Sequence, residues 1–380
     1  MLNLHRLEQS IEIQMKETHV PGLALAIIQE KDLIYSRGFG VTSVEDGGLP
    51  VTPQTVFRIG STTKPLTGTA IMRLVEANKL ALDEPITTYI GWFTMEDKEA
   101  ANRITLRMLL SHSAGFPPSA EHFGSRDLEG LEAFVREQVI HYQLVSPPGS
   151  SLTYSNPGIA LAGYIAEVVS GKRFTQLMQA LVFDPLQMKR TTFDTTVAMT
   201  YPLAQAHDLS KDKILSTQHR FADNVAGYPA GFAMSTVVDL ANFAIMQLNQ
   251  GSFQGQQILS PESVRLMHSI QADLFTVKGT GYGITFFTEH YKGIRLVWHD
   301  GGISSFVCKF MLVPESKYIQ ATSAEMRYTV GRRRGPCENH WKFLSRPQKS
   351  WKPWRPCIER REMCGCAPAR KSCCWRANSA

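Results

Sequence analysis

The sequence predicts an α/β fold in which a sheet is assembled from both ends of the chain and a helical lobe is inserted between them. Two observations support this prediction. Apolar strand patterns occur near the N-terminus and again after residue 280, and helical patterns fill most of residues 80–220. An order of strands, helices and strands indicates one sheet with helices packed on it. The length of 380 residues suffices for one large or two modest domains.

The individual elements follow from the spacing of apolar residues. A helix is predicted around Leu4–Met15, and a β-hairpin around Glu30–Asp32, which separates two apolar runs. A short strand is predicted within residues 51–60, and a helix from Ser61 to about Asn78. Further helices are predicted in TLRMLLSH, LEGLEAFVREQVIHY, NPGIALAGYIAEVVSG and FTQLMQALVF and at Met234–Asn249 and Pro261–Ser269, and late strands in YGITFF, GIRLVWHDGG and SSFVCKFMLVP.

Positive charge and cysteine are concentrated in the C-terminal tail. Residues from Arg327 onward contain 14 Lys and Arg against 3 Asp and Glu, whereas the preceding residues contain 26 against 31. The body is therefore mildly acidic, and the net charge of +6 is no argument for nucleic-acid binding. Of seven cysteines only Cys308 lies in the body, so the body needs no disulfide.

The N-terminal segment predicts neither export nor membrane insertion. Residues 1–22 contain early acidic side chains and lack the uninterrupted apolar core of a secretory signal. No run approaches the roughly 20 apolar residues of a membrane span. We therefore expect a cytoplasmic protein with no membrane partner.

The segment RIGSTTKPLT contains a candidate nucleophile. Ser61 and Lys64 are three residues apart, so on a helix the hydroxyl and the amine lie on one face. Gly60 permits a sharp entry into the helix, and Pro65 is tolerated only in the first turns. A serine at a helix start lies where backbone amides stabilise an oxyanion. The alternative is an N-cap serine followed by a surface lysine, which is common, so the pattern gains meaning only with further motifs.

Two later segments supply such motifs. Tyr154-Ser155-Asn156 lies in a loop with Pro and Gly on both sides, and a helical pattern follows it. His299-Asp300-Gly301-Gly302 ends a strand pattern, and its glycines let the backbone approach a ligand closely. Each segment has a simpler interpretation, as a packing tyrosine and as a turn. The three motifs in this order are much less expected by chance.

With these motifs the chain resembles the serine β-lactamase-like superfamily: class C β-lactamases, D,D-peptidases and related carboxylesterases. SxxK, YxN and an HxG in place of the usual KTG match, as do the segments RMLLSHSAGF and YPAGFAMSTVVDL. The resemblance covers about residues 5–318. It implies a β-lactamase/transpeptidase-like fold with a central antiparallel sheet flanked by helices. The sheet lobe would comprise about residues 1–78 and 225–318, and an all-helical lobe about residues 79–224, with the active site between them.

The resemblance implies that Ser61 is the nucleophile of an acyl-transfer reaction. Lys64 and Tyr154 would share general acid and base duty. A neutral Lys64 would take the serine proton, and a charged one would stabilise the alkoxide. Because the ordinary pKa of tyrosine is about 10, Tyr154 would need a cationic neighbour to act as a base near neutral pH.

The remaining motif residues would hold the substrate. Asn156 would orient the lysine and the acyl amide, and His299 would position the substrate or tune the tyrosine. The backbone N–H groups of Ser61 and Gly302, with Gly301 before the latter, would form the oxyanion hole.

The residues of the HxG segment indicate which class of acyl substrate to expect. In β-lactamases the KTG strand holds the antibiotic's carboxylate. A neutral His299 is a weaker anion partner than lysine, and Asp300 would repel an anion unless strand alternation turns it away. We therefore expect a carboxylesterase-like hydrolase of small esters that acts through an acyl-enzyme on Ser61. The alternatives are a β-lactamase, D,D-peptidase or D-aminopeptidase, and a catalytically inactive penicillin-binding module.

We expect no metal and no cofactor. The sequence contains no HExxH, no His/Cys cluster with ligand spacing in the body and no GxxxxGK[ST]. The expected partner is a small-molecule ester or amide substrate, and not a nucleic acid. The oligomeric state does not follow from the sequence.

The tail after about Lys317 departs from the rest of the chain, and residues 319–380 are predicted to be non-native or disordered. Residues from Arg327 onward hold four of the six tryptophans and six of the seven cysteines, with no clear apolar period. Three interpretations are a metal- or nucleic-acid-binding extension, a natural disordered tail, and out-of-frame translation. The last is favoured, and it predicts a sheet without its final strand and packing helix, a bare edge and poor stability.

Overall fold

A computed structural model describes residues 3–119, 122–274, 279–315 and 318–325, the last range as backbone only. Residues 15–329 form one compact unit, and residues 1–14 group with 330–380 in a second unit. The second unit is described only in residues 3–14, which form the first part of a helix. The sheet and the candidate site all belong to the first unit.

Several helices of the described residues are capped by the side chain of the residue that precedes them. The described helices are α1 (Leu4–Thr18), α2 (Thr63–Glu76), α3 (Lys98–Ala101), α4 (Leu106–Leu110), α5 (Gly130–Glu137), α6 (Asn156–Ser170), α7 (Phe174–Met178), α8 (Thr195–Ala198), α9 (Tyr228–Gly231), α10 (Val237–Leu248) and α11 (Pro261–His268). Short 3₁₀ turns span Gly60–Thr62, Ile86–Thr88, Val139–His141 and Val225–Gly227, and α7 continues into a π-helical turn at Gln179–Phe183.

The strands come from both ends of the chain. They are β1 (Gly22–Gln29), β2 (Asp32–Gly40), β3 (Phe57–Arg58), β4 (His207–Leu209), β5 (Leu215–Thr217), β6 (Met234–Ser235), β7 (Ser252–Phe253), β8 (Gln256–Gln257), β9 (Ala272–Asp273), β10 (Gly281–Tyr282), β11 (Phe287–Tyr291), β12 (Ile294–Ile303), β13 (Phe306–Val313) and β14 (Tyr318–Glu325). Eight of them form one sheet in the order β2-β1-β14-β13-β12-β11-β10-β9, with antiparallel pairings. The predicted fold class, an antiparallel sheet flanked by helices with an inserted helical lobe, is confirmed.

The hairpin predicted at Glu30–Asp32 is present. Strand β1 is buried along nearly its whole length, whereas β2 at the sheet edge is largely exposed. Strand β1 lies between the edge strand β2 and another strand, and its burial on both faces agrees with its continuous apolar run. Its second neighbour is not a strand of the N-terminal region but the last described strand, β14.

The expectation that the sheet lacks its final strand is wrong. Strand β14 pairs with β1 from Leu23 to Gln29 and with β13 along its full length, so it lies inside the sheet and the sheet extends past residue 318. A ladder uses backbone N–H and C=O groups, which any residue except proline supplies, so the break in composition at Lys317 did not end the sheet. Residues 326–380, on which the other predictions for the tail fall, lie outside the described residues.

Several element boundaries differ from the predicted ones for local reasons. The segment Met234–Asn249 is a short strand followed by α10, because the Thr236 side chain accepts a hydrogen bond from Asp239 N–H and caps the helix. The predicted strand YGITFF is broken by a turn at Thr285, which has φ of +61°. The lobe predicted to be all-helical also contains the small hairpin β4–β5, at residues 207–217.

Two buried helices position the candidate site. Helix α2 is buried from Thr63 to Met72, and α6 from Pro157 to Glu167. Each begins next to a loop that carries one of the sequence motifs. None of the helices within the described ranges is both long and apolar enough to cross a membrane.

Candidate active site

The candidate nucleophile lies where a 3₁₀ turn leads into helix α2. Gly60 has φ of +52°, and a Cβ on it would lie 2.6 Å from the Gly302 nitrogen. Only glycine fits this conformation and this close approach. The sharp entry predicted for Gly60 therefore brings half-buried Ser61 against strand β12.

Lys64 is fully buried and has three polar neighbours. Its Nζ lies 2.9 Å from Ser61 Oγ, 2.8 Å from Asn156 Oδ1 and 2.7 Å from the Ala230 carbonyl oxygen. Burial lowers the pKa of Lys64 well below its ordinary value, which favours the neutral amine. A neutral amine has two N–H donors, and the two carbonyl oxygens can only accept. Its lone pair is therefore left facing the Ser61 hydroxyl.

Asn156 is oriented by a second hydrogen bond. Its Nδ2 donates to the Ser119 carbonyl oxygen at 2.8 Å, so the amide oxygen must face Lys64. The residue is the first of α6, and Ser155 caps this helix by accepting from Gly158 N–H at 3.2 Å. The predicted role of Asn156 in orienting the lysine agrees with this geometry.

Tyr154 completes the group of three reactive side chains. Its ring centroid lies 4.7 Å from Lys64 Nζ, and its side chain hydrogen-bonds Ser61. Burial raises the pKa of Tyr154, and the hydrogen bond with Ser61 opposes this only in part. The phenol is therefore protonated around neutral pH, and the structure brings a hydroxyl, an amine and a phenol together in one cleft.

Strand β12 approaches the nucleophile through its glycines. A Cβ on Gly301 would lie 1.8 Å from the Ile59 carbonyl oxygen, so no other residue fits here. Gly302 lines the same cavity as Ser61. The backbone of Gly301 and Gly302 thus lies close to the turn that carries the serine.

His299 lies behind the cleft rather than in it. It is only 1% exposed, its Nε2 is 2.9 Å from the Tyr282 hydroxyl, and its Nδ1 is 2.6 Å from the Asp300 carbonyl oxygen. Both ring nitrogens are thus engaged inside the protein, and the role predicted for His299 in positioning the substrate stays a prediction. An influence on Tyr154, whose ring centroid lies 6.2 Å away, stays a prediction.

Asp300 does not present an uncompensated negative charge. Its Oδ1 lies 2.8 Å from Lys309 Nζ, and the two residues are directly opposite each other on β12 and β13. The Lys309 ammonium also lies 4.0 Å from the Trp298 ring centroid. This ion pair weakens the repulsion of anions that the sequence predicted for Asp300.

A cleft that is open to solvent lies beside Ser61. Its described lining residues include no Asp, Glu, Lys or Arg, and most of them are small or apolar. They are Ser61, Ser119, His122, Phe134, Asn156, Pro157, Ala160, Asn224, Ala226, Gly227, Ala230, Gly231, Phe232, Gly302 and Ile303. Such a lining suits an uncharged, partly apolar acyl group.

Three groups that surround the candidate site were not predicted from the sequence. The Ala230 carbonyl, in the familiar YPAGF segment, accepts from Lys64. Tyr282 holds His299, and His112 packs its ring 4.2 Å from that of Tyr154. The sequence segment LLSHSAG, which resembles the family, contains His112 and could have indicated it. A backbone carbonyl oxygen and a single tyrosine in a strand have no sequence pattern that would indicate them. Within the described ranges no three His, Cys, Asp or Glu side chains cluster as metal ligands would.

Together the fold and this site point to one family of proteins. The chain belongs to the Beta-lactamase family, whose model matches residues 7–330. The match includes strand β14, in agreement with its place in the sheet.

Curated relatives are similar over most of this chain. It is 28% identical over 343 residues to the unguisins hydrolase ungD' of Aspergillus campestris. That alignment covers 85% of this chain and 62% of the relative. This chain is 29% identical over 311 residues to penicillin-binding protein 4 of Amycolatopsis lactamdurans, covering 80% and 81%. The chain thus spans less than two thirds of the first of these relatives.

Solved structures share the fold. The octameric penicillin-binding protein homologue from Pyrococcus abyssi is 28% identical, with a TM-score of 0.71 over 86% of this chain and 74% of that chain. EstCE1, a hydrolase with promiscuous acyltransferase activity, has a TM-score of 0.71 over 84% and 92%. Its identity is 20%, so this second likeness shows the fold alone.

Proposed function

We propose that this serine hydrolase is a carboxylesterase-like enzyme that cleaves small uncharged esters through an acyl-enzyme on Ser61. The observation that carries this proposal is the cleft beside Ser61, whose described lining offers apolar surface and no Asp, Glu, Lys or Arg side chain. A mostly apolar lining stabilises an apolar acyl group, and without Lys or Arg it supplies no fixed cation to offset the desolvation of a carboxylate.

In the first step Ser61 Oγ attacks the ester carbonyl carbon, and its proton passes to the lone pair of Lys64. The amine is 2.9 Å away and is held by two carbonyl oxygens, so it needs no rearrangement to accept the proton. The backbone N–H groups of Ser61 and Gly302 would stabilise the oxyanion that develops.

Collapse of the tetrahedral intermediate breaks the bond to the leaving alkoxide. Tyr154, protonated because burial raises its pKa, would donate its proton to that oxygen and recover one from the Lys64 ammonium. Water then attacks the acyl-enzyme with Lys64 again as base. This sequence releases the acid and restores the serine.

The described lining residues include no Lys or Arg, and in this proposal that distinguishes esters from β-lactams. Lys64 is pushed toward its neutral form, and Lys309 is paired with Asp300. Neither is a free cation for the carboxylate of an antibiotic. Ester hydrolysis needs no such partner, so the site favours esters.

The test compares two chromogenic substrates on the full chain. A 4-nitrophenyl butyrate should be hydrolysed with a kcat/KM at least about tenfold above that for a chromogenic cephalosporin, a difference worth about 1.4 kcal/mol. A fluorophosphonate probe should label Ser61, as located by mass spectrometry, and Ser61→Ala should abolish both signals. Labelling at another residue, or a preference for the cephalosporin, would overturn the proposal.

The second candidate is a β-lactamase or a D,D-peptidase or D-aminopeptidase. The relationship to penicillin-binding protein 4 at 29% identity favours it. In that case a penicillin would form a stable adduct on Ser61, and the cephalosporin would be the better substrate. An inactive penicillin-binding module is less favoured, because the serine, lysine and tyrosine are all present and in contact.

A further inference from the structure

The described residues that line the cleft beside Ser61 differ greatly in size. Most of them are Gly, Ala, Ser, Pro or Asn, so their side chains leave space next to the nucleophile. The large apolar side chains among them are Phe134, Phe232 and Ile303. An acyl group that enters this space therefore finds two phenyl rings among its main apolar contacts.

Phe232 lies close to the nucleophile along the backbone. It follows Gly231, and a Cβ on Gly231 would lie 3.7 Å from the Ser61 nitrogen. The residue before that, Ala230, accepts a hydrogen bond from Lys64 at 2.7 Å through its carbonyl oxygen. The ring of Phe232 therefore begins one residue from backbone that packs against the turn of the nucleophile.

The Phe232 ring is held in place on several sides. A Cβ on Gly227 would lie 2.4 Å from Phe232 Cε2, so a side chain at Gly227 would displace the ring. The Tyr228 ring centroid is 6.0 Å away, and the carbon of the buried Arg58 guanidinium lies 5.5 Å from the Phe232 centroid. A ring held in this way is already ordered before a ligand binds, which lowers the entropic cost of binding.

Phe134 reaches the same cleft from a different element. It is half-buried on helix α5, where its neighbours Leu131 and Val135 are 1% and 0% exposed. Its ring packs edge-on against Tyr142, with the centroids 6.4 Å apart. Phe134 is thus anchored by its helix, whereas Phe232 is anchored by the segment that follows α9.

We propose that Phe134 and Phe232 form a subsite for an aromatic ring on the acyl group, so that the preferred neutral substrates are esters of arylacetic acids. This inference rests on the proposed esterase function, because it names the acyl group that the same cleft accepts. Aromatic rings attract each other in offset or edge-on arrangements beyond the effect of the area they bury. A saturated ring buries at least as much apolar surface, so burial alone would not favour the aromatic ring over it.

The experiment compares 4-nitrophenyl phenylacetate with 4-nitrophenyl cyclohexylacetate on the full chain. The two esters share the leaving group and differ only in the ring of the acyl group. After each rate is divided by that of hydroxide hydrolysis, kcat/KM should be about tenfold higher for the phenylacetate, because two aromatic contacts act together.

Variants of the two rings test whether this preference comes from them. Phe134→Leu and Phe232→Leu should each lower the phenylacetate to cyclohexylacetate ratio about threefold, and the double variant should bring it near one. Phe134→Tyr retains the aromatic ring and should retain the ratio. Phe253→Leu is the matched control, since this phenylalanine is buried at 4% exposure and is not among the described lining residues of the cleft.

Two kinetic results would overturn the inference. One is a ratio at or below one in the unaltered protein, because the lining would then act through apolar area alone. The other is an unchanged ratio in folded Phe134→Leu and Phe232→Leu, with folding checked by circular dichroism. Should Phe232→Leu not fold, the ratio in Phe134→Leu decides.

A second readout needs no turnover. Benzylboronic acid and cyclohexylmethylboronic acid form reversible esters with a reactive serine hydroxyl, and calorimetry gives their dissociation constants. The benzyl compound should bind about tenfold more tightly, and the two leucine variants should reduce this difference. If the unaltered protein hydrolyses no ester, the proposed function fails, and this difference still decides whether the aromatic subsite exists. Equal binding of the two compounds, or binding of neither, would count against it.

Discussion

Lys64 Nζ lies 2.9 Å from Ser61 Oγ, and the amine's other two neighbours are the amide oxygen of Asn156 and the carbonyl oxygen of Ala230. Two acceptors fix the two N–H bonds of a neutral amine and direct its lone pair at the serine. Burial removes the solvation that would favour the ammonium. Under the proposed function the lysine would therefore act as a base rather than as a counter-ion.

Replacement of this amine should remove most of the activity. Lys64→Met keeps the length of the side chain and deletes the base, so kcat/KM for 4-nitrophenyl butyrate should fall about 10³-fold. Lys172→Met, at an exposed position, is the control and should change little. A loss below about tenfold in folded Lys64→Met would show that another group takes the serine proton.

The pH dependence of kcat/KM should follow from the shifted pKa values of Lys64 and Tyr154. Lys64 must be unprotonated to act, and its lowered pKa means that kcat/KM rises as pH increases through that pKa and reaches a plateau well below the range of free lysine. Burial raises the pKa of Tyr154, so the phenol keeps its proton and the plateau should extend to about pH 9. Rates measured from about pH 5 to about pH 9 test this. A steady fall above neutral pH would contradict it, because it would require a charged lysine.

Strand β12 packs so closely against the turn that carries Ser61 that no side chain should fit at Gly301. Gly301→Ala places a Cβ 1.8 Å from the Ile59 carbonyl oxygen, so the strand must move away from Ser61. We expect a loss of about 2 to 3 kcal/mol in the free energy of unfolding and at least about 100-fold in kcat/KM. Gly91→Ala is the matched control, since its Cβ would have one ordinary contact at 3.7 Å. Equal denaturation midpoints for the two variants would refute the close approach.

The length of the acyl group should be limited by the cavity. Ala160 lines it and is 2% exposed, so Ala160→Val adds two methyl groups to the space beside Ser61. Each buried methylene contributes about 0.8 kcal/mol, so the ratio of kcat/KM for hexanoyl over acetyl esters should fall about tenfold. The acetyl ester is the internal control. An unchanged ratio would mean that the acyl group binds elsewhere.

Much of the fold was readable from periodicity. The hairpin at Glu30–Asp32, helices α2, α6 and α11, and strands β12 and β13 were predicted close to their observed places. Strand β14 was not, because the prediction relied on the composition of side chains, whereas the ladder depends on backbone groups. Residues 282–287 were given as one strand because the positive φ of the break falls on Thr285, a β-branched residue, and not on Gly283.

The features of the candidate site can also be separated into those that the sequence predicted and those that only the tertiary structure decided. The sequence by itself determined that Ser61 and Lys64 share one helical turn, that glycines precede the serine and end β12, and that Tyr154 and Asn156 open a helix. The tertiary structure alone decided that Lys64 is buried against partners 92 and 166 positions away, that His299 faces Tyr282, and that Asp300 pairs with Lys309. The spacing of residues in the sequence determines which side chains are neighbours within one helix or strand. Desolvation and hydrogen-bond partners, which set protonation, depend on what the folded chain packs against each group.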